Sequence, residues 1–210
     1  MEDVLELYTE PYDPDYPVVC FDEKSVQLLA DVQDPLPLAP GQPIGEDYEY
    51  KRCGTANLFV ALEPHLGERS VSVTERRTNS DFAVQMQALD ARYPQAKTIR
   101  VVLDNLSTHG PAALYQNLPP DEARSLTRRL EFHYTPKHAS WLNMAEIEWS
   151  VLERQCLGQR LESLERLEDE VQAWEADRNA KQVKITWQFG LLQAREKLRR
   201  HYPKLEPCNP

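Results

Sequence analysis

The spacing of apolar positions changes several times along the chain, and each change predicts an element. "PVVCFD" (17–22) is a short continuous apolar run and predicts a buried strand ending near Asp22. "TANLFVALEP" and "SVSVTERRT", separated by "HLGE", are rich in β-formers and predict a hairpin. From Asn79, the residues Phe82, Met86, Leu89 and Tyr93 recur at helical intervals behind a polar cap. "TIRVVLD" predicts a second buried strand, ending at Asp104, and "PAALYQNL" a short helix or turn. The charged stretch that follows reads as a linker, and "LEFHYT" as a further strand. Leu142, Ala145, Trp149, Leu152 and Cys156 form one helical stripe; Leu164, Leu167, Val171 and Trp174 form the inner face of a helix from Ser163 to about Asn179. A last helix is expected over Leu191 to Tyr202, and residues 34–47, with four prolines and two glycines, are expected to be a loop.

The resulting order is strand, hairpin, helix, strand, helix, strand, helix. A hairpin ahead of the first helix argues against a simply alternating doubly wound fold and for a mixed sheet with helices on both faces. The 210 residues suffice for one well-buried domain, and 41% apolar with 28% charged residues is ordinary for a soluble globular chain. No apolar run reaches the roughly 20 residues of a membrane span. The N-terminus is acidic rather than basic-then-apolar, so a cytoplasmic location is expected. Cys20, Cys53, Cys156 and Cys208 are scattered without a zinc spacing; reduced thiols are expected, with Cys20 and Cys156 filling core space.

The net charge of −10 speaks at first against nucleic acid, but its distribution changes that picture. Residues 1–50 hold 13 Asp/Glu against one Lys, whereas residues 51–210 hold 21 Asp/Glu against 23 Lys/Arg. Most of the chain is thus near neutral, with basic knots at Lys51-Arg52, Arg76-Arg77, Arg128-Arg129 and "REKLRRHYPK", so DNA binding is permitted without being demanded.

Two apolar strands end in an aspartate, Asp22 and Asp104, and an acid stands at the start of a later helix. A single aspartate after a strand is usually a turn or cap residue. Glu146 alone is equally well read as the third helical residue of a capping-box-like pair with Asn143. If the two strands lie side by side, however, both aspartates emerge at one sheet edge, where Glu146 could complete an acidic cluster that requires cations. Hard oxygen ligands select Mg²⁺ or Mn²⁺, and a pair of such ions suits phosphoryl transfer. Helical geometry does not separate Glu146 from Glu148, since each borders the apolar stripe.

"FDEKS", "VVLDNLSTH" and "TPKHASWLNMAEIEW" resemble the three signature blocks of IS630-type transposases, of the IS630/Tc1/mariner superfamily of DDE recombinases. The similarity also takes in "YKRCGTANLFVALEP", "VTERRT" and "ITWQF", nearly the whole chain. It implies an α/β, RNase H-like fold: a five-stranded mixed sheet with its first three strands antiparallel, flanked by helices. By position it implies Asp22, Asp104 and Glu146 as the catalytic, metal-holding acids, with Glu146 chosen over Glu148 because it follows Leu142-Asn143 as the family's third acid does. The 42 residues from Asp104 to Glu146 exceed the gap in many relatives, which the insert "PPDEARSLTRRL" accounts for.

Around these acids, Asn105 and His109 follow the second aspartate as in the family. His109 fits either a role in orienting a phosphate or water, or an ordinary loop histidine. Lys24 fits either a phosphate contact or a surface ion pair, Lys137 and His138 contact with a DNA backbone, and Trp141 and Asn143 the anchoring of the loop and the helix start. The resemblance implies cleavage at transposon ends and strand transfer into target DNA, usually at TA, with two Mg²⁺ or Mn²⁺ ions and a homodimer on DNA. A helix-turn-helix end-recognition module is expected to lie outside this chain. The expected organisation is an acidic lead-in (1–17), the catalytic domain (18–180) and a helical tail packed on it (181–210). Two other functions fit the same sequence: a general RNase H-like nuclease, and a catalytically idle or repurposed DNA-binding remnant.

Overall fold

The computed structural model describes residues 1–33, 48–106 and 109–202; the predicted loop 34–47 and Cys208 lie outside them. One five-stranded sheet organises the chain, built from β1 (Val18–Asp31), β2 (Tyr50–Glu63), β3 (Glu68–Thr74), β4 (Ile99–Leu103) and β5 (Leu130–Tyr134) in the order β3-β2-β1-β4-β5. β1, β2 and β3 are antiparallel neighbours, while β4 lies parallel to both β1 and β5. This is the mixed sheet of the RNase H-like fold, as the hairpin-before-helix order predicts.

Side chains alternate across β1, so the two faces of the sheet acquire separate cores. Val18 and Cys20 point with Leu58, Val60 and Leu62 of β2 toward α5 (Ala145–Gln155) and α6 (Leu164–Ala180), where Trp149, Leu152, Leu167 and Val171 complete the layer. Val19 and Phe21 point the other way, toward α2 (Asn79–Arg92), α3 (Pro111–Asn117) and α4 (Pro120–Arg129). There Phe21 meets Phe59 at 5.9 Å and Phe82 at 5.7 Å, an aromatic cluster in which each fully buried ring contributes roughly 1.5–3 kcal/mol. Cys20 and Cys156 are both buried in the first of these cores.

Four expectations are corrected or refined. β1 does not end near Asp22 but runs on to Asp31, pairing with β2 throughout. Beyond Asp22 it covers core on one side only, so its residues lose the continuous apolar character that marks its first half. The charged stretch after α3 is not a linker but the helix α4: Ala123 and Leu126 are its buried residues, Pro120 opens it, acids occupy its first turn and arginines its last, in the sense the helix dipole favours. The N-terminal lead-in contains a short helix, α1 (Glu2–Leu7), with Val4, Leu5 and Leu7 buried. The last predicted helix is shorter than expected, α7 (Leu191–Lys197), followed by a 3-10 turn at Arg199–His201.

Residues after α6 return to the β2–β3 hairpin. Gly67 turns that hairpin at φ +71°, and a Cβ there would stand 2.7 Å from the backbone of Gln182 and Val183, so both conformation and space call for glycine. No helix among the described residues is long and apolar enough to cross a membrane.

Candidate active site

β1 and β4 fix two of the three acids. Their parallel register pairs Val18 with Arg100 and Cys20 with Val102; Asp22 follows Cys20 by two residues within β1, and Asp104 follows Val102 by two, just past the end of β4. β4 stops at Leu103 while β1 continues, and the sheet opens there. The edge is therefore the carboxyl end of a parallel pair, where open α/β sheets place their ligands.

Asp22 shares a face with Cys20 and points toward α5. Its Oδ2 accepts the indole Nε1–H of Trp149 at 2.9 Å, and its Oδ1 accepts the Glu23 amide at 2.9 Å. Burial, with the negative charges of Glu146 and Glu23, pushes the Asp22 carboxyl up to about 7 against the pull of those two hydrogen bonds. Glu146 and Asp22 are thus within electrostatic reach, and a half-buried Glu146 stands in the first turn of α5.

That helix start is held by Asn143 rather than by the expected capping box. Asn143 is 2% exposed; its Nδ2 donates to the Phe21 carbonyl at 2.8 Å, and its Oδ1 accepts from the Ala145 amide at 3.2 Å. Met144 is the capping residue and makes no side-chain cap bond. Asn143 therefore ties α5 to the residue preceding Asp22. Asn143→Ala should lower stability by about 1–3 kcal/mol by removing two buried hydrogen bonds, read as a lower midpoint in urea.

Asp104 is held from the other face. Its Oδ1 lies 2.5 Å from His109 Nδ1, and His109 Nε2 lies 2.7 Å from Glu23 Oε2. The imidazole stacks on Phe82 at 5.1 Å and meets the edge of Phe21 at 6.0 Å. Burial opposes charge on this ring, but Asp104 and Glu23 outweigh it, and its pKa rises to about 9. Both ring nitrogens face carboxylates and only 5% of the residue is exposed, so His109 presents neither nitrogen to solvent. Glu23 and Trp149 are thus partners of the acids that sequence reasoning placed elsewhere. The sequence places Trp149 only in the apolar stripe of its helix, and Glu23 only next to Asp22 in the chain. Strand alternation alone carried a signal for Glu23, which must face the side opposite Asp22 and Lys24.

Glu148 separates from Glu146 clearly. It is 1% exposed and bound by Arg69 Nη2 at 3.2 Å and Arg178 Nη2 at 2.9 Å. Lys24 pairs with Glu153 of α5. Asn105, Lys137 and His138 are exposed on the loops that follow β4 and β5, His138 at φ +63°.

Among the described residues no three acidic, histidine or cysteine side chains form a ready-made metal cage. Asp104 is turned to His109, and both Asp22 oxygens are engaged. The donor set nevertheless suits a hard divalent cation: Asp22, Asp104 and Glu146 offer oxygen alone, and the mutual repulsion at Asp22 is what a cation relieves.

An RNase H-like sheet with acids at the open end of its central parallel pair defines the class of protein. The chain belongs to the family described as DDE superfamily endonuclease, which matches residues 17–168. No curated protein matches the sequence. Among solved structures, the Mos1 mariner paired-end complex with Mn shares the fold, with a TM-score of 0.58, 18% identity, and 86% of this chain and 55% of that one covered. A Mos1 transposase paired-end complex with the left transposon end gives 0.55 at 16% identity over 80% and 51% of the two chains. A pre-cleavage Mos1 transpososome gives 0.52 at 18% identity over 86% and 58%. This chain thus spans little more than half the length of the Mos1 chains.

Proposed function

We propose that this chain is the catalytic part of an IS630-type DDE transposase, cutting DNA at the ends of its element and joining the freed 3′-hydroxyls to target DNA. The observation that carries the reading is that Asp22 and Asp104 each follow by two residues the last paired residues of adjacent parallel strands, Cys20 and Val102, while the charge of Glu146 reaches Asp22. Family membership and the fold shared with mariner transposase complexes support it.

In this reading Asp22, Asp104 and Glu146 hold Mg²⁺ or Mn²⁺, two ions in all. The bound ions would supply charge that activates the attacking oxygen and stabilises the leaving one. The remaining work belongs to the chain. Trp149 directs the Asp22 carboxylate, His109 and Glu23 hold Asp104 from behind, and Asn143 fixes the start of α5 and hence Glu146. Hydrolysis and strand transfer share one geometry: an oxygen nucleophile, water or the 3′-hydroxyl, attacks phosphorus in line with the P–O3′ bond that breaks. A helix-turn-helix module for the element's inverted repeats, pairing of two copies on DNA and a TA target belong to the same proposal.

Melting with and without Mn²⁺ tests metal holding apart from catalysis. At tenfold excess over its Kd, Mn²⁺ should stabilise the chain by about 1.4 kcal/mol, a rise of roughly 3–6 °C. The Asp22→Asn/Asp104→Asn double variant should show no rise. An equal rise in both proteins would place the metal elsewhere. Nicking of supercoiled plasmid should likewise require Mg²⁺ or Mn²⁺.

A further inference from the structure

After α6 the sequence turns basic: residues 181–200 hold Lys181, Lys184, Arg195, Lys197, Arg199 and Arg200 but one acid, Glu196, with Lys181 paired to Asp177 and Arg195 to Glu2. Aromatic side chains from this segment meet another from the loop ahead of α5. Trp187 packs on Tyr8 at 5.4 Å, and its indole N–H donates to the Phe189 carbonyl at 2.7 Å. Trp141 lies near-parallel to Trp187, 6.4 Å away at 16°, and meets Phe189 edge-on at 5.5 Å. Lys197 Nζ stands 5.6 Å over the Phe189 ring. Behind this cluster Leu142 and Ala194 are fully buried.

Trp141 itself remains 44% exposed. A single exposed apolar residue is commonplace on a protein surface. This one is held in orientation by two other aromatic rings, one of them, Phe189, lying under Lys197, and is preceded in sequence by the exposed Lys137 and His138. It also lies two residues before Asn143, whose side chain grips the Phe21 carbonyl beside Asp22.

We propose that Trp141, backed by Trp187 and Phe189 and flanked by Lys137, His138 and Lys197, is a stacking platform for an unpaired DNA base next to the cleavage point. The chemistry selects single-stranded over duplex DNA. Bases within a duplex stack on one another and offer no free face, whereas an unpaired base can lie on an indole while cations meet its phosphates. The choice of DNA as the polymer rests on the transposase reading; the binding itself requires neither the acids nor a metal.

The test uses the full chain in EDTA, with a short oligothymidylate and a duplex of equal length, read by tryptophan fluorescence and anisotropy. Trp149 and Trp174 are buried, so quenching reports mainly on Trp141 and the Trp187 beneath it. Wild type should prefer the single strand and be quenched by it. Trp141→Ala should weaken single-strand binding about tenfold and remove most of the quench, leaving duplex affinity little changed. Trp141→Phe should keep most of the affinity, and Lys197→Gln should reduce the salt slope by about 0.7. Unchanged single-strand affinity in Trp141→Ala, or equal losses for both DNA forms, would overturn the platform. Binding is read in EDTA, where no metal-dependent nicking occurs, so a failure of the nicking chemistry and a failure of the platform are read separately.

Discussion

Asp104→Asn should reduce metal-dependent nicking by about a thousandfold or more while the protein melts within a few degrees of wild type. The asparagine keeps the shape of the side chain and can still accept a hydrogen bond from His109, so the loop beyond β4 retains its anchor. What it loses is the formal charge that would hold a cation between nucleophile and leaving group. Such electrostatic stabilisation is worth several kcal/mol in a transition state, and about 4 kcal/mol already corresponds to a thousandfold. The stability change should be small because Asp104 is 34% exposed, and water screens much of its attraction to His109. Glu146→Gln should behave alike, with a similar loss of nicking and little change in melting. Asp104→Asn protein that nicks plasmid at even half the wild-type rate would remove the acids from the chemistry.

Two of the candidate acids stand at breaks in a strong local pattern: Asp104 follows an apolar strand, and Asp22 closes the apolar half of β1. Asp104 closes a run of five strand residues of which four are buried, Ile99, Val101, Val102 and Leu103, and that run announces itself without tertiary information. The predicted strand end at Asp22 is wrong by nine residues, because the continuous apolar run stops there while β1 itself runs on to Asp31. α4 was missed for the opposite reason. Its charges dominate the composition, and only Ala123 and Leu126 are buried, too few to establish a period over ten residues. Apart from the alternation that turns Glu23 away from Asp22, the partners of the acids were not legible. Trp149 belongs to a helical stripe whether or not its indole N–H meets Asp22, and His109 is a loop residue until Glu23 and Asp104 are seen on either side of it. Pattern alone could not divide Glu146 from Glu148 either. Their difference lies in Arg69 and Arg178, which come from β3 and α6 and are 79 and 30 residues away in the chain.

Glu148→Ala should be the most destabilising of these substitutions, by roughly 3–5 kcal/mol, with a melting temperature lower by about 6–20 °C. Arg69 is fully buried and Arg178 is 9% exposed, so neither can recover solvation when the carboxylate is removed. Burial and the nearby Arg178 already hold the Arg69 pKa below its ordinary value, and Glu148 is the principal charge working against them. Without it, two guanidinium groups would face one another in a low-dielectric interior. The remaining contacts of Arg69, to the Val183 carbonyl at 2.7 Å and to Asn179 Oδ1 at 3.1 Å, satisfy hydrogen bonds but supply no countercharge. Because the network joins β3, α5, α6 and the segment after α6, its loss should weaken the layer that carries Glu146 as a unit. The contrast with Glu146→Gln is the useful measurement. Two acids one residue apart should divide cleanly, Glu146 affecting nicking without melting and Glu148 affecting melting first. If Glu148→Ala melts within 2 °C of wild type, the buried ion network is not holding α5 and the assignment of Glu146 loses its structural support.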